Sequence, residues 1–332
     1  MAAVRVTETK VGGFAALAIE NEALGYTIVP ALGAKLVSLR DRRTGHEWLW
    51  RNPRLPLRRV GRDASYVAAA DTGGWDECFP SVSPCAYPLD PWRGAAIPDH
   101  GELWAQEAAV TVEHDATGGV AIRAAWTGVS MPYTFVRTLT LAPDGATLRA
   151  AYAVRNDADH DLACIWSAHP LIPLTAGLRL ELPAGAMMHI NAGTQGDAPA
   201  PGPQPWPPQT ALCPFPDLPA PDSGVACKLW SEPLVEGWAE LIGAAGRLHF
   251  SFDPALLPQI ALWVNAGAWA GDGGTPYNNL GLEPCFGAQD SLADAVTRDR
   301  RYGILHPGET RTWWLDTTVS SGQSGRVSEV GE

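Results

Sequence analysis

Positive charge is scarce in this chain. Of its 332 residues, 24 are Lys or Arg against 36 Asp or Glu, which gives a formal net charge of -12. Nucleic acids and anionic lipid surfaces bind through clustered basic side chains, so this balance argues against either of them as the main partner. The acidic balance does not by itself indicate a cationic ligand, because many soluble proteins are acidic.

Long apolar runs and closely spaced cysteines are also missing. No stretch is long enough to span a bilayer, and residues 1–8 have no apolar core of the kind found in signal peptides. The six cysteines contain no C-x-x-C pair, which argues against a structural zinc site or a disulfide framework. We therefore expect a cytoplasmic protein with reduced thiols.

Glycine, proline and tryptophan are plentiful, with 34, 29 and 14 residues respectively. Gly and Pro interrupt helices and Trp is favoured in strands, so the composition predicts strands and turns. The pattern agrees with this, since apolar residues alternate with threonines over residues 133–141 and a second alternating segment follows at 148–154. Short strands separated by turns predict an antiparallel sandwich or barrel. Arg137 interrupts the first apolar face, which suggests a solvent-exposed end there.

Three other segments have distinct compositions. Residues 291–296 carry the only clear helical signal, with Ser291 as its cap. Residues 196–222 contain ten prolines and predict an extended surface loop, which could also serve as a lid. Residues 320–332 predict a disordered tail. Because strand patterns look alike on both sides of the proline-rich loop, we expect a single domain over residues 1–319.

Several stretches place polar side chains beside glycine or proline turns. Residues 73–80 read Gly-Gly-Trp-Asp-Glu-Cys-Phe-Pro, and residues 98–104 read Pro-Asp-His-Gly-Glu-Leu-Trp. His169 and Glu283 each precede a proline at the end of a predicted strand. Polar groups beside aromatic rings suit a sugar, which has hydroxyls at its edges and C–H groups on its faces. Taken singly, each His or Glu could equally be a hydrogen-bonded structural residue.

In this order, the stretches resemble the aldose 1-epimerase (galactose mutarotase-like) superfamily. Residues 33–39 and 44–49 are similar to its opening hairpin, residues 73–80 to its Gly-Gly…Phe-Pro segment, and residues 98–104 to its His-Gly motif. His169 and Glu283 match its second histidine and its late glutamate. The similarity covers nearly the whole chain and implies an all-β, antiparallel β-supersandwich of the galactose mutarotase-like type with few short helices.

The resemblance also implies a mechanism. Glu283 would act as general base on the C1 hydroxyl of an aldose, His169 as general acid toward the ring oxygen, and His100 as a hydrogen-bonding group that steadies the developing charge. Proton transfer of this kind needs no metal or organic cofactor. The candidates for contact with the sugar are Trp75, Asp76, Glu77, Trp104 and Trp166.

The chain departs from the family pattern in two respects. The Asp that galactose mutarotases carry between the second histidine and the late glutamate has no assigned counterpart here. Galactose mutarotases carry an Asn-Arg pair upstream of the first histidine, whereas Asp-Thr-Gly-Gly stands here at residues 71–74. Galactose is therefore not predicted as the substrate. A basic cluster lies just upstream, and it is either a solvated loop or the source of one arginine for an anionic sugar; its members are Arg51, Arg54, Arg58, Arg59 and Arg62.

Two other functions remain open. His100, His169 and Glu283 together are two histidines and a carboxylate, which is the ligand set of a facial-triad iron site. The fold could also belong to a sugar-binding protein without turnover, because function resides in the site and not in the architecture.

Overall fold

The computed structural model describes residues 3–193, 202–208, 213–271, 274–287 and 290–321. The strands of the first half are β1 (Arg5–Val11), β2 (Phe14–Glu20), β3 (Leu24–Val29), β4 (Lys35–Asp41), β5 (Trp75–Cys78), β6 (Cys85–Ala86), β7 (Ala96–Ile97), β8 (Ala109–His114), β9 (Val120–Thr127), β10 (Tyr133–Leu141), β11 (Thr147–Asn156) and β12 (Leu162–Cys164). Those of the second half are β13 (Trp166–Pro173), β14 (Arg179–Glu181), β15 (Met187–Gly193), β16 (Gln204–Pro205), β17 (Val225–Ser231), β18 (Trp238–Gly243), β19 (Gly246–Phe252), β20 (Gln259–Ala266), β21 (Asn278–Phe286), β22 (Gly303–Leu305) and β23 (Thr310–Ser320).

Most of these strands form two large sheets. The first has eleven strands in the order β1-β2-β3-β4-β5-β13-β21-β20-β17-β15-β16, and the second has eight in the order β14-β18-β19-β23-β11-β10-β9-β8. Neighbouring strands run antiparallel throughout both sheets. The predicted alternation is confirmed, since buried and half-buried residues alternate along the whole of β10. The predicted antiparallel β-sandwich is therefore present.

The inner faces of the two sheets meet in an aromatic core. Trp166 of the eleven-stranded sheet lies with its ring centroid 4.7 Å from Tyr152 and 5.0 Å from Trp313, both of the eight-stranded sheet. Tyr152 and Trp313 stack at 5.4 Å. Large aromatic rings bury much apolar area and favour such offset contacts, so this cluster holds the sheets together.

Arg137 lies inside this core, and its predicted position at a solvent-exposed end of the strand is wrong. Its side chain is 1% exposed and forms an ion pair with Glu77 at 2.8 Å. Glu77 also accepts hydrogen bonds from the hydroxyl of Tyr152 at 3.1 Å and from Nε1 of Trp166 at 3.0 Å. A buried charge is tolerated when it is paired and hydrogen-bonded, and Glu77 meets both conditions.

Helical structure in the described residues is limited to short turns. The predicted turn is confirmed as α1 (Leu292–Asp294), and the side chain of Ser291 caps it by accepting from the backbone N–H of Asp294 at 3.4 Å. It is not the only one, because turns also occur at Pro30–Leu32, Tyr66–Ala70 and Ala295–Asp299. No helix of the described residues is long and apolar enough to cross a membrane.

The proline-rich segment and the tail are described only in part. Residues 196–201 and 209–212 of that segment, and residues 322–332 of the tail, lie outside the described residues. Within the rest of the segment, Gln204–Pro205 adds a short strand to the edge of the eleven-stranded sheet, and Phe215 is 7% exposed.

Candidate active site

A cavity of about 310 Å³ opens on the eleven-stranded sheet, on the face turned away from the core. Along β21 the side chains alternate, so Leu280 and Leu282 enter the core while Asn279 and Glu283 line the cavity. Its volume falls within the usual range of about 300–1,000 Å³ for small-molecule sites. Aromatic rings form one wall, which consists of Trp263, Trp269 and Tyr277.

Glu283 is buried in this cavity and paired with a lysine. Its Oε2 lies 2.7 Å from Nζ of Lys228, which projects from β17. A Cβ atom at position 281 would lie 2.5 Å from Oε1 of Glu283, so Gly281 leaves the room that the carboxylate occupies. Burial lowers the pKa of Lys228, but Asp290 and Glu283 outweigh it and raise the pKa above its usual value. Lys228 therefore carries a positive charge beside the glutamate.

His169 faces the same cavity from β13, the next strand in the sheet. Ser167 pairs with Cys285 and Leu171 with Gly281, so the register between them sets His169 opposite Glu283. The imidazole is 6% exposed, and its Nδ1 has no hydrogen-bond partner in the described part of the chain. Burial first, and then the nearby cations, hold the pKa of His169 well below its usual value. The ring is therefore neutral near pH 7.

His100 reaches the cavity from a tight loop. Its backbone is left-handed, with φ of 59°, and a Cβ at Gly101 would lie 2.1 Å from the carbonyl oxygen of Phe79. Only glycine fits there without displacing the backbone of Phe79. Nδ1 of His100 lies 3.0 Å from Oδ1 of Asp99, and since a carboxylate only accepts, this contact places a proton on Nδ1. The His100 and His169 rings are 4.8 Å apart.

A layer of buried residues supports the two histidines. Tyr66 stacks on His100 with ring centroids 3.9 Å apart and donates its hydroxyl proton to Asp76 at 2.7 Å. Asp76 lies opposite His169 in the register of β5 and β13, and Lys35 pairs with it at 2.8 Å. Burial, with Asp76 and Asp71 adding to it, raises the pKa of Tyr66 well above its usual value. The phenol stays protonated and keeps the stack in place.

Of the predicted sugar contacts, none lines this cavity directly. Trp75, Glu77 and Trp166 point to the inner face of the sheet and belong to the core between the sheets. Asp76 lies on the cavity side but is 2% exposed and bound by Tyr66 and Lys35. Trp104 packs behind Tyr66 at 5.3 Å and donates Nε1–H to the Asp99 carbonyl at 3.0 Å. The structure thus brings together Glu283, His169 and His100.

The arginine cluster does not contribute to the lining of the cavity either. Arg51 donates to the carbonyl of Val37 and Arg58 to that of Ala69. Arg59 pairs with Glu107, and Arg62 donates to the hydroxyl of Ser130. Arg54 donates to the carbonyl of Thr275, and its guanidinium lies 5.1 Å from the centroid of the Tyr277 ring.

The two histidines of the alternative iron site lie close together, but Glu283 is not grouped with them as a third ligand. His100 and His169 lie with Cys78 in a group whose ligand atoms are within 4.8 Å of one another, while Glu283 is held by Lys228. Burial, with Glu283 and Asp76 adding to it, raises the pKa of the Cys78 thiol well above its usual value. A metal prefers the thiolate, so a cation bound here would have to displace a strongly held proton.

Several cavity residues were missed by the sequence-based prediction. Lys228 and Asn279 are polar residues within otherwise apolar strands, and this contrast is visible in the sequence without the structure. Asp71 and Tyr66 also line the cavity, and Tyr66 begins the short helical turn that ends just before Asp71. Nothing in the sequence places Tyr66 over His100, because that contact joins two loops.

Acidification is expected to destabilise the protein through His169. In the unfolded chain, His169 takes up a proton as the pH falls below its usual pKa of 6.5. In the folded chain, it is protonated only at a lower pH. Stability therefore falls as the pH drops below about 6.5, by at most about 1.4 kcal/mol per pH unit. Urea unfolding of the wild type and of His169→Asn at about pH 7 and about pH 5.5 measures this. Equal losses in both proteins would rule the effect out.

No family model matches the sequence, and no curated protein matches it. Solved structures do. A protein from Klebsiella pneumoniae, described as a proposed aldose 1-epimerase, has a TM-score of 0.72 at 17% identity, over 95% of this chain and 83% of that one. A galactose mutarotase-like protein from Clostridium acetobutylicum has a TM-score of 0.65 at 11% identity, over 96% and 99%. A galactose mutarotase-like protein from Lactobacillus casei has a TM-score of 0.63 at 16% identity, over 92% and 100%. The chain has the galactose mutarotase-like fold, as the resemblance implied.

Proposed function

We propose that the protein is an isomerase of the aldose 1-epimerase type, which interconverts the α and β anomers of a sugar. One observation carries the proposal: Glu283, His169 and His100, from three separate segments, line one cavity of about 310 Å³. A base and an acid on one sugar-sized site are what ring opening of a cyclic hemiacetal requires. The shared fold with structures described as epimerase-like supports the same reaction class.

In the proposed reaction, Glu283 removes the proton of the C1 hydroxyl while the bond between C1 and the ring oxygen breaks. The bonding electrons move to the ring oxygen, and His169 delivers a proton to it. The open aldehyde rotates about its C1–C2 bond and closes again with the roles of acid and base reversed. His100, whose Nδ1–H is donated to Asp99, forms a hydrogen bond with a sugar hydroxyl through Nε2. Each positioned proton-transfer group contributes about 10²–10⁴-fold.

The electrostatics of the site suit these roles. Lys228 places a positive charge 2.7 Å from Oε2 of Glu283, the carboxylate proposed as the base. Burial of His169 lowers its pKa, so the small imidazolium fraction is a stronger acid than a free histidine.

Mutarotation of freshly dissolved α-anomers, followed by polarimetry, tests the proposal directly. Wild-type protein should accelerate the change in rotation for at least one aldose, and His169→Asn should slow it by about 10²-fold or more. Sugar binding without any acceleration would favour a binding protein on the same fold.

Replacing Lys228 with methionine should destabilise the protein by about 3–5 kcal/mol, the range found when one partner of a buried ion pair is removed. The substitution removes the cation 2.7 Å from Oε2 of Glu283, whose side chain is only 1% exposed. Lys228→Arg keeps the charge and serves as the control. Urea unfolding measures the effect, and an unchanged stability in Lys228→Met would show that Glu283 does not depend on this pair.

A further inference from the structure

Asp71 is a buried carboxylate on the cavity wall that lacks a close cation. It is 5% exposed, and its two hydrogen bonds are long, at 3.4 Å from the backbone N–H of Gly73 and 3.5 Å from the hydroxyl of Tyr277. No Lys, Arg or His side chain of the described residues lies within 4.0 Å of it. Burial raises the pKa of Asp71, and Lys35 and His100 offset this only in part. Buried carboxylates are ordinarily paired, so this one has capacity for a ligand.

The side-chain amide of Asn279 lines the same cavity and has no hydrogen-bond partner within the described part of the chain. The residue is 1% exposed, and neither its amide nitrogen nor its amide oxygen forms a hydrogen bond among the described residues. Buried amides are nearly always satisfied, and an unsatisfied one costs about 1–3 kcal/mol. Its carbonyl can accept a hydrogen bond from a ligand that enters the cavity.

The charge of the lining favours a cation over an anion. Four carboxylates line the cavity against one ammonium group, that of Lys228, which is engaged by Glu283 at 2.7 Å and Asp290 at 3.5 Å. The residues between 3 and 321 that lie outside the described ranges include no lysine, arginine or histidine. An anionic sugar would therefore add negative charge to a site that has no free cation in the described lining to receive it.

We propose that Asp71 and Asn279 bind an ammonium group on the sugar, so that the ligand is a pyranose with a protonated amino substituent. The inference rests on the proposed function for the presence of a sugar in this cavity. Asp71 supplies the counter-charge and Asn279 a carbonyl acceptor, and an ammonium group has three N–H donors to share between them. The aromatic wall packs on the C–H faces of the ring.

Ligand-observed saturation-transfer NMR at about pH 6.5 tests the proposal with four probes: glucosamine, glucose, N-acetylglucosamine and glucose 6-phosphate. Wild-type protein should bind glucosamine at least about 10-fold more tightly than glucose, because hydrogen bonds to charged groups are the stronger ones. N-acetylglucosamine has no charge and should bind no more tightly than glucose. Equal affinity for glucosamine and glucose, tightest binding of glucose 6-phosphate, or no binding of any probe would each overturn the proposal.

Asp71→Asn provides the second arm of the test, since it removes the charge and keeps the shape. The preference for glucosamine should disappear while glucose affinity changes by less than about 3-fold. Asp144→Asn makes the same charge change on an exposed turn of the other sheet and should leave the preference intact. A preference that survives Asp71→Asn would contradict the assignment, and the wild-type comparison decides the matter even if this variant does not fold.

Failure here can be told apart from failure of the proposed function. Anomeric exchange of a neutral sugar, without preference for glucosamine, removes this inference and leaves the isomerase proposal intact. Preferential binding of glucosamine without anomeric exchange removes the isomerase proposal and leaves the inference of an ammonium-binding site intact.

Discussion

Glu283→Gln should lower the rate of sugar anomerisation by about 10²–10⁴-fold, which is the contribution of one positioned proton-transfer group. An amide has nearly the same shape as the carboxylate but cannot take up the proton of the C1 hydroxyl. The amide oxygen can still accept from Lys228, whose Nζ lies 2.7 Å from Oε2 in the wild type. Folding and sugar binding should therefore be largely preserved, and the loss should appear in kcat rather than in KM.

Asp290→Asn is the matched control for this variant. Asp290 lines the same cavity and lies 3.5 Å from Nζ of Lys228, so its replacement removes an equal charge from the same neighbourhood. Its effect on the rate should stay below about 10-fold, because it is not assigned a proton-transfer step. Equal losses in both variants would mean that Glu283 acts through general electrostatics and not as the base.

Arg137→Met should destabilise the protein by about 3–5 kcal/mol, the range found when one partner of a buried ion pair is removed. Glu77 would keep its hydrogen bonds from Tyr152 and Trp166 but would lose the cation at 2.8 Å, with its side chain only 1% exposed. Burial raises the pKa of Glu77 to about 7 even with Arg137 present. Without the guanidinium, the folded variant would hold the proton more tightly than the unfolded chain, so stability should fall further as the pH rises.

Urea unfolding of Arg137→Met and of the double variant Arg137→Met/Glu77→Gln measures this effect. The double variant removes the stranded charge and should regain part of the stability, because apolar or neutral replacements of buried pairs are often tolerated. A loss below about 1 kcal/mol in the single variant would show that the pair contributes little to stability.

The sandwich could be predicted from sequence because its signal is local. Alternation with a period of two over residues 133–141 and 148–154 specifies strands with one buried face, and β10 and β11 match it. Ser291 likewise caps a helical turn through a contact only three residues away. Local patterns of this kind depend on neighbouring residues in the sequence and not on what packs against them across the core.

The same period of two explains why several of the predicted sugar contacts lie in the core. Side chains alternate along β5, so Trp75 and Glu77 point to the opposite face of the sheet from Asp76. Trp166 and His169 are three residues apart and also face opposite sides. Trp75, Glu77 and Trp166 lie in the core, whereas Asp76 and His169 lie on the opposite face of the sheet.

Other parts of the site depend on distant contacts that no local pattern encodes. Lys228 meets Glu283 across 55 residues of sequence, and Arg137 meets Glu77 across 60. Both cations interrupt apolar strands, which signals a buried partner but does not identify it. Asp71 and Asn279 come from distant parts of the sequence and meet only in the lining of the folded cavity.

Exchange NMR of anomeric protons, combined with a binding measurement on the same samples, tests the proposed isomerase activity most directly. With glucose, galactose, glucosamine and glucose 6-phosphate as probes, at least one sugar should show exchange between its α and β signals that depends on wild-type protein. The exchange should vanish in Glu283→Gln while binding of that sugar remains. Sugar binding to folded wild-type protein with no exchange for any probe would contradict the isomerase assignment and leave a sugar-binding protein.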